Sequence, residues 1–108
     1  MKPLIFSLLI IAALPAAQGK RTFSGAITDS ICAQADHSRM RMGATDGECA
    51  IACVSAHGST YVLYDGHEAY ALSNQEAAEK FAGRKVMVTG TLDARSGMIQ
   101  VDSITAAR

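Results

Sequence analysis

The chain has no excess charge of either sign: ten basic residues stand against ten acidic ones, for a formal net charge of zero with histidine neutral. No basic run lies beyond its N-terminal segment, so nothing in it asks for nucleic acid or another polyanionic partner. Repeats, low-complexity stretches and interdomain linkers are missing, which leaves one small domain. Cys-x-x-Cys-His is absent, and with it covalent c-type haem attachment. Cys-x-x-Cys is absent too, which removes a thioredoxin-like dithiol. There is no Gly-x-Ser-x-Gly elbow, no phosphate-cradling glycine loop and no assembly that reads as a catalytic triad. The chain therefore reads as a binding protein, not an enzyme.

The first residues read as an address. Lys2 gives a positive start, Leu4–Leu14 is an apolar run too short to span a bilayer, and Pro15 breaks it. Ala17-Gln18-Gly19 then offers small residues at the positions a signal peptidase recognises, so residues 1–19 are expected to be a cleaved signal peptide. No cysteine follows closely enough for a lipid anchor, and after cleavage no membrane attachment is expected. The remaining chain, Lys20–Arg108, is expected in the periplasm or outside the cell. Cysteines tend to pair in such compartments. A domain this small also gains from a staple.

Periodicity places the scaffold. Phe23, Gly25 and Ile27 alternate with Thr22, Ser24, Ala26 and Thr28, the period of a half-buried strand, and Gly25 inside it suggests a bulge or a tight bend. Asp29-Ser30 ends that strand and suits the start of a short helical turn over Ile31–Asp36. Thr45-Asp46-Gly47-Glu48 fits a capping box. The helix it opens should reach about Ala56, with Gly58 left-handed behind it. Thr60–Tyr64 and Glu68–Leu72 flank Asp65-Gly66, a hairpin signal. Ser73-Asn74-Gln75-Glu76 is a second capping box, for a helix ending near Ala82 before Gly83. Lys85–Asp93 alternates again, with Val86, Val88, Gly90 and Leu92 on one side, and Met98–Ile104 completes the set.

Without the insertion at about 30–58, between strands one and two, five strands remain with a helix between the third and fourth. That is the connectivity of an OB-fold barrel. On a helical wheel Ile51 and Val54 fall on one side and Cys49 and Cys53 on the other. The expectation is that Ile51 and Val54 face the core while both thiols point away from it.

Several motifs resemble those of a family of small, uncharacterised secreted bacterial proteins. They are Gly25-x-Ile27-x-Asp29-Ser30-x-Cys32, His37-x-x-Met40 and Glu48-Cys49-x-x-x-Cys53-Val54. In the second half they are Tyr61-Val62-Leu63, Tyr70-x-Leu72, Phe81-Ala82-Gly83 and Val86-x-Val88-Thr89-Gly90-Thr91-Leu92. The resemblance implies an exported OB-like domain with a cysteine-bearing insertion, and it carries no activity.

Chemistry concentrates between Cys32 and Cys53, which contains all three cysteines of the chain. An odd number of thiols leaves at least one over after pairing. One reading is a disulfide from Cys32 to Cys49 or Cys53, closing a loop of about twenty residues and contributing about 3 kcal/mol. The other is a soft-metal site of Cys32, His37, Met40, Cys49 and Cys53. Thiolate and thioether together suit copper(I), and three thiolates with one imidazole suit zinc. A thiol redox role for the spare cysteine is a third possibility. Separately, Tyr61, Tyr64 and Tyr70 fall in the second and third strands, the usual ligand face of an OB barrel, so a protein, peptide or glycan partner is a further expectation.

Overall fold

A computed structural model describes residues 19–31 and 45–108. The elements follow the expected order: β1 (Arg21–Asp29), α1 (Asp46–His57), β2 (Tyr61–Tyr64), β3 (Ala69–Leu72), α2 (Gln75–Glu79), β4 (Lys85–Asp93) and β5 (Met98–Ala106). The protein is mainly β. Its five strands make one sheet whose neighbours run β1-β2-β3-β5-β4 and return to β1, a closed ring of hydrogen bonding. Every pairing is antiparallel except β3 with β5. Among the described residues no helix is long and apolar enough to cross a membrane.

β1 closes the ring by changing partners along its length. Arg21–Ala26 pair with β4, and Ala26–Asp29 pair with β2. Gly25 stands at the change, where a Cβ would overlap the carbonyl oxygen of Tyr64 and come within 2.9 Å of its carbon. The glycine is thus required by a close backbone approach at a bend. Gly90 does the same for β4. A Cβ there would strike the Gln100 carbonyl oxygen and lie 2.9 Å from the Ile99 side chain. The register slips beside it: Thr89 pairs with Ser103 and Gly90 with Val101, which leaves Asp102 as the extra residue of a β-bulge. The Asp102 carboxylate turns outward to the Lys20 ammonium at 2.9 Å.

Capping chemistry sets the helix ends, once as expected and once a residue late. Thr45 Oγ1 accepts the Glu48 N–H at 3.1 Å, and Gly58 closes α1 at φ 64°. α2 is capped by Asn74 rather than Ser73, its Oδ1 accepting the Ala77 N–H at 2.9 Å. Ser73 is occupied elsewhere, its Oγ accepting the Val101 N–H at 2.8 Å and so extending the β3–β5 ladder. α2 is also shorter than expected, stopping at Glu79 before a turn that leads to Gly83 at φ 75°. Its Gln75 side chain takes the Tyr61 N–H and returns donors to the carbonyls of Tyr61 and Leu72, tying α2 to β2 and β3.

The hairpin between β2 and β3 has a longer loop than the sequence suggests. Its last pair is Tyr64 with Ala69, so β3 begins at Ala69 and Glu68 belongs to the loop. Asp65 organises that loop by accepting the N–H groups of Glu68 and His67, both at 2.8 Å. Those donors hold its carboxyl below the usual carboxylate range.

Inside the ring, Phe23, Ile27, Tyr61, Leu63, Leu72, Val86, Val88 and Ile99 form one buried cluster, closed by Ala50 from α1 and Ala78 from α2. Phe23 and Ile27 of β1 and Val86 and Val88 of β4 point into it, at the spacing of two that a strand requires.

Gly90→Val should lower the urea midpoint strongly, by the equivalent of about 3 kcal/mol or more, because the added carbons meet backbone that cannot yield. Thr89→Val beside it, on the outward face, should stay within about 0.5 kcal/mol. An unchanged midpoint for Gly90→Val in equilibrium unfolding would refute the close-approach explanation.

Candidate functional site

α1 begins where the chain has been brought beside the ring. Gly47 and Gly83 meet backbone to backbone: a Cβ on Gly47 would lie 2.5 Å from the Ala82 carbonyl oxygen, and one on Gly83 would overlap the Gly47 nitrogen. The Ala82–Gly83 segment is itself fixed to β1, because the Gly83 N–H donates to the Ile27 carbonyl at 2.7 Å and the Ile27 N–H to the Arg84 carbonyl at 3.0 Å.

That contact chooses the buried side of α1, and the choice differs from the wheel. Cys49, Ala50 and Cys53 are fully buried, and Val54 is half-buried against the core cluster. Ile51 is 39% exposed. Val54 therefore faces the core as expected, but Ile51 does not, and the two thiols turn into the protein rather than away. The reason is steric. At about 100° per residue, Cys49, Cys53, Ala50 and Val54 fill an arc of about 140°, and Ile51 lies about 60° beyond it. Small side chains at Gly47 and Ala50 let the helix approach closely. Cysteine behaves as one more small apolar residue in that setting.

Both cysteines are among the fully buried apolar residues of the described chain. Lying four apart, they occupy one flank of α1, next to the flank that Ala50 and Val54 give to the core. Cys32, His37 and Met40, the other expected ligands, lie outside the described residues. Among the described residues no disulfide forms, and no three His, Cys, Asp or Glu side chains converge as a metal-binding group.

The two ends of the insertion are clamped together. Ser30 donates its N–H to the Thr60 carbonyl at 2.8 Å, and the Thr60 N–H returns to Ser30 Oγ at 3.1 Å. Asp29 Oδ2 accepts the Ile31 N–H at 3.1 Å, shaping the turn by which the chain leaves β1. Cys32 is the next residue in sequence.

The three tyrosines do not gather on one face. Tyr61 lies in the core at 1% exposure. Tyr70 pairs across the strands with buried Leu63, so it also points inward, half-buried, with its ring centroid 5.7 Å from that of Phe23. Partial burial raises its phenol, and the carboxylates of Asp65 and Glu68 add to the effect. The Arg21 guanidinium lies over the Phe23 ring, 4.6 Å from its centroid. Tyr64 faces the other way and donates its hydroxyl to the Gly66 carbonyl at 3.0 Å. Alternation along a strand separates residues 61 and 64, and Tyr61 has no surface to offer a ligand.

Sequence reasoning missed the polar residues at the end of β1. Thr28 and Asp29 are buried, and so is Ser59 just before β2. The available signal was alternation itself: Asp29 follows Phe23, Gly25 and Ile27 in the inward-facing row, so the pattern carried one residue further puts a carboxylate inside.

Ile51→Ala should cost less than about 1 kcal/mol in urea unfolding, because the side chain is already largely in water. Ala50→Leu should cost about 1–3 kcal/mol by overpacking the α1 contact. The reverse ranking would restore the original wheel. Compared with family models, curated proteins and solved structures, the chain matches none.

Proposed function

We propose that this protein is an exported binding module, an OB-type barrel carrying a soft-metal site for copper(I) or zinc on its Cys32–Cys53 insertion. The barrel reading is supported by the strand order β1-β2-β3-β5-β4, the parallel β3–β5 pair and the helix between β3 and β4. The observation that carries the metal reading is the burial of Cys49 and Cys53 together on one flank of α1. Two thiols one helical turn apart, screened from water, form half of a tetrahedral soft-ligand set. Cys32 follows the Asp29–Ile31 turn, and that turn is clamped to the residues through which α1 returns to β2. His37 and Met40 come from the same insertion and supply the imidazole and thioether that favour zinc or copper(I).

The chemistry on offer is binding: sequestration or delivery of an ion at a site whose ligands must give up protons to receive it. Reduced protein titrated with copper(I), and separately with zinc, should take up about one equivalent. The Cys49→Ser, Cys53→Ser double variant should lose that uptake while keeping its far-ultraviolet circular dichroism. Unchanged uptake in the double variant sinks the metal reading. No uptake by wild-type protein, together with a Cys32 disulfide found by mass spectrometry, moves the insertion to the role of a staple. The module would then bind a protein, peptide or glycan elsewhere on its β-surface.

A further inference from the structure

Part of the sheet runs on past the closed ring of strand pairs. β3 meets β5 only at Met98 and Ile99, and Ser73 Oγ carries that contact as far as Val101. Beyond Val101, β5 has β4 on one side and, among the described residues, no strand on the other. β1 has a similar open edge before Ala26, where its pairing with β2 begins. β1, β4 and β5 thus extend together as a three-stranded sheet with two open edges.

Alternation along the ladder identifies the unpaired groups. The Ala107 N–H donates to the Lys85 carbonyl at 3.0 Å, so the residues that exchange hydrogen bonds with β4 are Ala107, Thr105 and Ser103. The N–H and C=O groups of Ile104 and Ala106 consequently point away from β4, along the open edge. The side chain of Thr105 is exposed on the outer face. Ile104, opposite buried Val88, is half-buried against the core.

The two edges differ in protection. The β1 edge is headed by Lys20 and Arg21, and charged side chains at an open edge discourage another strand from adding to it. On β5 the only charge nearby is Asp102, which sits in the bulge and is paired with Lys20. From Ser103 to Ala107 there is no charge and no proline, and Ile104 and Thr105 are β-branched residues that suit a strand with neighbours on both sides. The chain's zero net charge means that two copies meet without long-range repulsion.

We propose that this β5 edge pairs with the same edge of a second copy, antiparallel and centred on Thr105. A two-fold axis at Thr105 sets Ile104 of each copy opposite Ala106 of the other. Each such pair exchanges both of its N–H···O=C bonds, which uses every free backbone group from Ile104 to Ala106. The Thr105 side chains meet directly across the axis, in the closer, non-hydrogen-bonded type of pair, where threonine favours threonine. The sheets of the two copies become one. An edge this short makes a small interface, so the dimer comes apart on dilution.

Sedimentation velocity on the purified protein, over a concentration series reaching about 1 mM, tests this. The expected result is a monomer–dimer equilibrium, with amide exchange at Ile104 and Ala106 slowing as the dimer fills. Thr105→Lys and Thr105→Glu should each be monomeric, because like charges then face each other across the axis. An equimolar mixture of the two should recover the dimer, a result that misfolding of either variant could not produce. Wild-type protein that stays monomeric throughout the series overturns the proposal. So does a dimer that Thr105→Lys leaves at full strength, or a mixture that stays monomeric.

Discussion

Everything distinctive about this molecule depends on β1 serving two neighbours. A strand that paired with one partner throughout would leave an open sheet. Here the change of partner at Gly25 and Ala26 closes the ring and delivers the end of β1 to the start of β2. The requirement at Gly25 is severe, because the Tyr64 carbonyl occupies the space a side chain would need. Burial follows from closure: once the ring is shut, inward-facing residues of every strand share one apolar interior.

Closure also determines where the insertion can sit. Its two ends meet at Ser30 and Thr60, and α1 is seated through Gly47 on Gly83, which is bonded in turn to β1. A helix held by backbone contact at its first turn cannot choose its buried face by hydrophobicity alone. The small residues go in, and two of them are cysteines. The consequence is chemical. Thiols pointing outward would be open to oxidation or to labelling by any solute, whereas thiols on the protected flank meet only what the protein admits.

Much of this could be read from the sequence, because local rules and tertiary packing agree over most of the chain. The period-two runs of β1 and β4, the Thr45 cap and the glycines at 58 and 83 all lie where the structure needs them. The departures occur where a tertiary contact outweighed a local preference. Ser73 was drawn into the β3–β5 ladder, so Asn74 became the cap. Ile51 was excluded from the core by a glycine contact that no wheel can contain, since it involves residues 36 positions apart. The tyrosines separated because alternation sends residues 61 and 64 to opposite faces. The wheel did pair Cys49 with Cys53 correctly, since spacing by four is a property of the helix and not of its surroundings.

The central claim is that the flank of α1 bearing Cys49 and Cys53 presents sulfur to a metal ion. X-ray absorption spectroscopy on the protein loaded with one equivalent of zinc reads the donor atoms directly. The account requires a sulfur shell at about 2.3 Å with at least two scatterers, reduced in intensity when Cys53 is replaced by serine. A shell made only of nitrogen and oxygen at about 2.0–2.1 Å would contradict it.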